Sequence, residues 1–256
     1  MNNKIEYSLN LLRQYEKQAI EMQNYGYHLA FSGGKDSQVI YELAKMSGVK
    51  FKAFFNKTSI DPPEVLKFIR NNYPDVEWIK PNMTMFQLIN KKGMLPLRQA
   101  RFCCAELKET SGTNSIVVTG ITNQESDKRK KRPEFEKDWV NKKNKYFLHI
   151  IKNWKVHEVF EFLKNRDVEW SELYKTQARI GCVGCPMNPK GMRKEFRERP
   201  NFKLAYTNTV RKLMIEKGKY PEFENAENVI EWWCSGLSVK KYMADKFQTK
   251  LIFAEN

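Results

Sequence analysis

Long apolar runs are missing from this 256-residue sequence. None approaches the ~20 residues that a helical membrane span needs, so no membrane partner is expected. The opening residues Met1-Asn2-Asn3-Lys4-Ile5-Glu6 lack a signal-peptide pattern. A cytoplasmic location is therefore expected. Cysteine is sparse, with five in the chain. In a reducing compartment these five suit ligands, redox groups or buried thiols better than structural disulfides. Histidine is scarcer still, at His28, His149 and His157. The sequence has no internal repeat and no low-complexity tract. The Walker A pattern GxxxxGK[ST] is also absent, which excludes the ordinary P-loop.

What is present begins with charge. The net charge is +15, and hydrophobic residues make up 41% of the chain, enough for a sizeable core. Part of the excess is local: Lys128-Arg129-Lys130-Lys131-Arg132 is an unbroken run, followed by Lys142, Lys143 and Lys145. Such a run suits a nucleic acid, a polyanionic nucleotide or plain solvation.

Hydrophobic periodicity orders the first half as alternating strands and helices. Ile5, Leu9, Leu12, Ala19 and Met22 repeat at helical spacing. Residues 27–31 read as the first strand and 51–55 as the second. The intervening helix ends near Met46, with Gly48 as its C-cap. Pro62-Pro63-Glu64 opens a helix through Tyr73. Residues 76–79 and 115–119 read as further strands, and Thr84 caps a short helix. The alternation predicts an α/β fold with a doubly wound parallel sheet. From residue 156 the patterns are helical, at 156–163, 202–216, 226–233 and 239–247. The expected division is a nucleotide-binding α/β domain at 1–150 and a cysteine-bearing helical lobe at 151–256.

Phe31-Ser32-Gly33-Gly34-Lys35-Asp36-Ser37 lies between the first strand and its helix. A strand, a glycine turn and a helix start make an anion cradle, because backbone N–H groups converge there and the helix dipole favours negative charge. Gly33 and Gly34 are expected to allow positive φ and close approach of a phosphate. Ser32 and Ser37 add hydroxyls, and Lys35 can add a cation. The segment resembles the PP-loop, SGGxDS, of the N-type ATP pyrophosphatase and PAPS reductase superfamily, also called the adenine nucleotide alpha-hydrolases. That resemblance implies an enzyme that binds an adenine nucleotide, ATP or APS/PAPS, and acts at the α-phosphate. It assigns catalysis to Ser32, Lys35, Asp36 and Arg129, with Asp36 orienting the loop or holding Mg²⁺.

Three further segments are similar to the same family. Gly120-Ile121-Thr122-Asn123-Gln124-Glu125-Ser126 with Arg129 looks like its GxRxxES..R signature, with Thr122 in place of the arginine. The likeness implies that Gly120, Glu125, Ser126 and Arg129 line the nucleotide site. The segment carrying Thr58 and Asp61 matches one that borders the substrate in the family; helix capping by Asp61 is the structural alternative. Arg101-Phe102-Cys103-Cys104 and Gly181-Cys182-Val183-Gly184-Cys185-Pro186 carry four thiols. Their spacing suits two ligands per segment on one metal, or a redox dithiol at the CxxC. The pattern resembles the four-cysteine [4Fe–4S] motif of assimilatory APS reductases and of DNA phosphorothioation enzymes. The resemblance implies Cys103, Cys104, Cys182 and Cys185 as ligands of a [4Fe–4S] cluster, with zinc as the alternative. Leu173-Tyr174 and Arg179-Ile180-Gly181-Cys182 continue the likeness.

The resemblance stops at the C-terminus. Sulfonucleotide reductases attack sulfur with a cysteine in an ECGxH-type segment, which this chain lacks. Cys234 is the one remaining cysteine, and it sits in a helical apolar pattern with no nearby histidine. The expected activity is adenylylation with pyrophosphate release in sulfur-related chemistry, on a nucleic acid or protein acceptor and with a sulfur donor. The alternatives are a sulfite-forming APS/PAPS reductase using Cys234 with a thioredoxin-type reductant, and a non-catalytic nucleic-acid-binding module.

Overall fold

The computed structural model describes residues 1–138 and 144–254. Lys142 and Lys143 of the second basic group lie outside them. In chain order the elements are α1 (Asn2–Met22), β1 (Tyr27–Ala30), α2 (Lys35–Ser47), β2 (Phe51–Asn56), α3 (Pro63–Asn72), β3 (Glu77–Ile79), α4 (Met85–Lys92) and α5 (Phe102–Leu107). They continue with β4 (Ile116–Val118), α6 (Asp127–Lys130), β5 (Phe135–Lys137), β6 (Tyr146–Leu148), α7 (Val156–Asn165), α8 (Pro189–Glu198), α9 (Pro200–Lys217), α10 (Ala226–Ser235) and α11 (Val239–Ala254). No helix of the described residues is long and apolar enough to cross a membrane.

Two compact units divide the chain. The first comprises Met1–Lys57, Pro62–Lys80 and Glu109–Ile180, and the second Thr58–Asp61, Pro81–Lys108 and the chain from Gly181 onward. This division is interleaved, unlike the single boundary expected near residue 150. Two segments of the first half, residues 58–61 and 81–108, bury their apolar side chains with the C-terminal helices: Ile60, Leu88, Ile89 and Leu107 share a core with Met192, Val210 and Ile230.

The first unit holds a six-stranded sheet of order β3-β2-β1-β4-β6-β5. Every pairing is parallel except β5 with β6, which is antiparallel. The expected parallel sheet is thus mixed at one edge. β1 is buried along nearly its whole length, as suits a central parallel strand covered on both faces. Its partners are aligned Leu29 to Ala53 on β2 and Leu29 to Val118 on β4. The strand order steps outward from β1 in both directions, so the loops after β1 and β4 leave the sheet side by side. That strand end is where open α/β sheets bind ligands.

Local chemistry sets the helix limits. Gly34 stands in extended backbone as the N-cap of α2, and Gly48, at φ 75°, closes it with its N–H on the Lys45 carbonyl. Pro63 occupies the first turn of α3, where its missing N–H costs nothing. Helix α2 packs beside α1 and α7, and Leu12, Ile40, Leu43 and Ile69 are fully buried in the resulting core. In the second unit, Thr84 and Gln87 form a reciprocal capping box on α4. Trp233 of α10 donates its indole N–H to the Pro96 carbonyl at 2.7 Å.

Candidate functional site

The loop after β1 is shaped by two glycines with different tasks. Gly33 has φ 71°, and a Cβ there would stand 2.8 Å from Ile69 Cγ1 of α3. Its missing side chain lets the loop press on the core, rather than on a phosphate as expected. Gly34 is extended, at φ −85°, so the positive φ expected there is not used. The bare α-carbon of Gly34 instead faces the Tyr174 hydroxyl, 3.2 Å from where a Cβ would stand.

Helix α2 starts with no side-chain cap. Its first N–H, on Lys35, donates to Tyr174 Oη at 2.9 Å. Among the described residues, the N–H groups of Asp36 and Ser37 have no acceptor. Ser37 Oγ donates to the Gly34 carbonyl at 2.8 Å, and Ser32 Oγ donates to Ser37 Oγ at 3.2 Å. Lys35 is paired with Asp36 at 2.6 Å. The result is a helix N-terminus with unspent donors and two hydroxyls in reach, the arrangement that binds anions.

The loop after β4 comes against this cradle because Gly120 has no side chain. A Cβ there would lie 3.0 Å from the backbone and Cβ of Asp36. The preceding residue is anchored by a partly buried chain of hydrogen bonds. Thr119 Oγ1 is 2.6 Å from His149 Nδ1, and His149 Nε2 is 3.0 Å from Glu136 Oε1. Glu136 is also paired with Arg132. A carboxylate only accepts, so Nε2 carries the proton and Nδ1 accepts from the Thr119 hydroxyl. Burial lowers the His149 pKa, which keeps the ring neutral in this role. Thr122 and Glu125 then form a reciprocal cap on a 3-10 turn, and Glu125 is paired with Arg129. Ser126 caps α6, accepting from the Arg129 N–H at 3.3 Å.

These pieces enclose a cavity of about 340 Å³ in the first unit. Ser32, Gly34, Lys35, Asp36 and Ser37 form one wall, and Gly120, Glu125 and Arg129 another. Gly33 and Ser126 support the walls without lining them, and Thr58 belongs to the second unit. The walls also include Thr122, Tyr174 and Arg179. Sequence reasoning assigned these three no direct part in the site. The signal for Tyr174 and Arg179 was the Leu173-Tyr174 and Arg179-Ile180 match, which carries no chemistry until the chain is folded, and Thr122 stood out only as the departure from the arginine of the Gly120–Ser126 signature. Among the described residues Arg179 has no carboxylate partner. It therefore supplies a guanidinium to a cavity whose Thr122 stands where the family pattern has arginine.

The four cysteines come together in the second unit. Cys103 and Cys104 lie on α5, while Cys182 and Cys185 lie in a tight turn. That turn is held by Val183 N–H on the Ile60 carbonyl at 2.8 Å and by Gly184 N–H on Glu195 at 3.0 Å. Gly184 has φ 73°, and a Cβ there would stand 3.0 Å from Tyr206. A hydrogen bond with Cys104 and then burial push the Cys103 thiol far up, and the charges of Cys104, Cys182 and Cys185 act in the same direction. The Cys182 sulfur raises the pKa of Lys108, which also hydrogen-bonds it. The four sulfurs thus lie within electrostatic reach of one another. No three His, Cys, Asp or Glu side chains among the described residues stand in a metal-holding group. The donor set itself, four thiols on two segments of one unit, has the chemistry of a thiophilic centre.

Thr58 and Asp61 serve this second unit. Asp61 accepts from the Thr58 N–H and hydroxyl, each at 2.7 Å, and Thr58 Oγ1 is 3.5 Å from Cys182 Sγ. The N-cap of α3 is Pro62, not Asp61. Cys234 is buried in α10, and burial pushes its thiol up to about 11.

Residues 26–188 match the phosphoadenosine phosphosulfate reductase domain family. A protein of Escherichia phage 186 is 32% identical over 124 residues, covering 43% of this chain and 37% of that protein. A protein of Methanocaldococcus jannaschii is 27% identical over 190 residues, covering 70% of this chain and 46% of that protein. The chain therefore spans less than half the length of either relative. Among solved structures, Candida glabrata FMN adenylyltransferase with FAD and pyrophosphate has a TM-score of 0.53 at 16% identity, over 71% of this chain and 63% of that one. Phosphoadenylyl-sulfate reductase from Candida auris has a TM-score of 0.51 at 16% identity, over 68% of this chain and 87% of that one. Both likenesses concern the fold. The cradle after β1, the glycine-led loop after β4 and the match over residues 26–188 together make this chain a member of the phosphoadenosine phosphosulfate reductase domain family, with the α/β fold of the adenine nucleotide alpha-hydrolases.

Proposed function

We propose that the first unit binds ATP or a related adenine nucleotide and that the chain cleaves it between the α- and β-phosphates, adenylylating an acceptor. One observation carries this reading. The uncapped start of α2, with unspent N–H groups beside Ser32 and Ser37, opens into a cavity that also holds Arg129 and Arg179. The cavity volume lies in the range of small-molecule sites, about 300–1,000 Å³.

The chemistry follows from charge. Cleavage at the α-phosphate builds charge on the departing pyrophosphate, and pre-aimed donors stabilise it more than solvent does. Ser32, Ser37 and the α2 N–H groups would hold the phosphates. Gly34 and Gly120 keep the walls free of side chains. Lys35, Arg129 and Arg179 supply positive charge. The Asp36 carboxylate is a hard oxygen donor on the cavity wall and suits Mg²⁺, which would neutralise phosphate charge. Glu125 holds Arg129 in place.

Cys103, Cys104, Cys182 and Cys185 would hold a [4Fe–4S] cluster, or zinc in its place. A cluster would supply sulfur or electron chemistry, and zinc a structural clamp. The acceptor is a nucleic acid or a protein group; exposed Lys128, Lys130 and Lys131 of the α6 region would favour a polyanion. The sulfite-forming alternative needs a reactive thiol, and the burial and raised pKa of Cys234 weigh against it.

Two measurements test the proposal. Incubation with Mg²⁺ and α-labelled ATP should yield AMP or an adenylylated acceptor with equimolar pyrophosphate; ADP and phosphate would contradict it. Anaerobically purified protein should contain about four irons per chain with broad absorbance near ~400 nm. One zinc per colourless chain would assign the thiols to a clamp, and absence of both metals would remove the centre.

A further inference from the structure

The first N–H of α2 is already taken. Tyr174 Oη accepts it at 2.9 Å, in the place where an oxygen of a bound phosphate would accept. The phenol lies on the cavity wall beside Gly34, whose missing side chain makes room for it. Its ring rests edge-on against Phe160 of α7, with centroids 5.6 Å apart. The hydroxyl belongs to a single 3-10 turn, Glu172–Lys175, which follows the Ser171 cap and ends at Thr176.

We propose that Tyr174 is an affinity-determining residue of the phosphate cradle: its hydroxyl occupies a phosphate-oxygen position on the Lys35 amide, and the phosphate chain displaces it on binding. This rests on the reading of the cavity as a nucleotide site. One amide hydrogen serves one acceptor at good geometry, so phenol and phosphate exclude each other there. A charged oxygen makes roughly twice as strong a hydrogen bond as a neutral one, so the phosphate wins. Burial pushes the phenol up to about 12, which keeps it the neutral, weaker competitor near neutral pH. Displacement is local, because the turn is one helical turn long and Tyr174 is only half-buried. While the site is free of nucleotide, the same contact satisfies a donor that would otherwise stand unpaired.

The test is calorimetric binding of pyrophosphate and of Mg–ATP to the full chain and to Tyr174→Phe, which keeps the ring against Phe160. The variant should bind both probes roughly fivefold tighter, the weight of one competing hydrogen bond. Hydrogen exchange at the Lys35 amide should be faster in the free variant than in the free wild type, and pyrophosphate should slow it in both. Equal or weaker binding by the variant, with wild-type binding intact, would overturn the role of Tyr174 and leave the nucleotide reading standing. Binding by the variant alone would support the proposal in its strongest form. Binding by neither protein would overturn both.

Discussion

Gly33 does its work through what it lacks. Its φ of 71° and the 2.8 Å approach to Ile69 leave no space for a methyl group. Gly33→Ala should therefore cost about 2–4 kcal/mol, combining left-handed strain with overpacking, as read by urea unfolding. A loss within experimental error would mean that the loop yields easily. Titration gives a second test at this scale. His28 is buried against Phe54, and burial, then Lys145, lowers its pKa from 6.5 to about 3. Between those values the unfolded chain takes up a proton that the folded chain refuses. Stability from this group is complete above about pH 6.5 and is lost as pH falls through the window. The unfolding free energy should drop on acidification, and His28→Gln should flatten that slope. Identical slopes for the two proteins would show that His28 is not the group responsible.

At the scale of elements, Arg179 offers the clearest change in binding. It lies next to the end of the last segment of the first unit, Glu109–Ile180, and lines the cavity without a carboxylate partner among the described residues. Arg179→Ala should weaken Mg–ATP binding roughly tenfold, with little change in thermal stability. Unaltered affinity would exclude its guanidinium from the phosphate site. Legibility also divides by element. Long periodic helices such as α1 and α7, and the run from β1 into α2, could be read directly from apolar spacing, capping residues and the loop chemistry. Strand β5 could not, because Phe135-Glu136-Lys137 has no apolar run of the kind that marks the equally short β4, Ile116-Val117-Val118, and β6 directly follows a lysine-rich stretch. The six-residue α5 is too short to show a helical period. Tyr174 shows another limit: its contact with Lys35 spans 139 positions and exists only after the chain has folded.

For the whole molecule, interleaving decides how the two candidate centres are built. Residues 58–61 and 81–108 leave the sheet-bearing unit and join the C-terminal helices, carrying Cys103 and Cys104 to the unit of Cys182 and Cys185. Linear sequence hides this, because segments distant along the chain share one core. The cavity at the start of α2, by contrast, is assembled wholly within the first unit from the loops after β1 and β4 and the turn bearing Tyr174. A chain organised in this way should bind nucleotide through the first unit whether or not the four thiols carry a metal. Serine at both Cys182 and Cys185 should remove any bound iron or zinc while leaving Mg–ATP affinity within about twofold. A large loss of affinity would show that the two centres are coupled.

The measurement that bears most directly on the central claim is Mg–ATP binding by calorimetry, comparing the wild type with the Ser32→Ala/Ser37→Ala double variant. Saturable binding at one site per chain, weakened at least tenfold in a variant that stays folded, is the predicted result. No binding by the wild type, or equal binding by both proteins, would contradict a phosphate cradle at the start of α2.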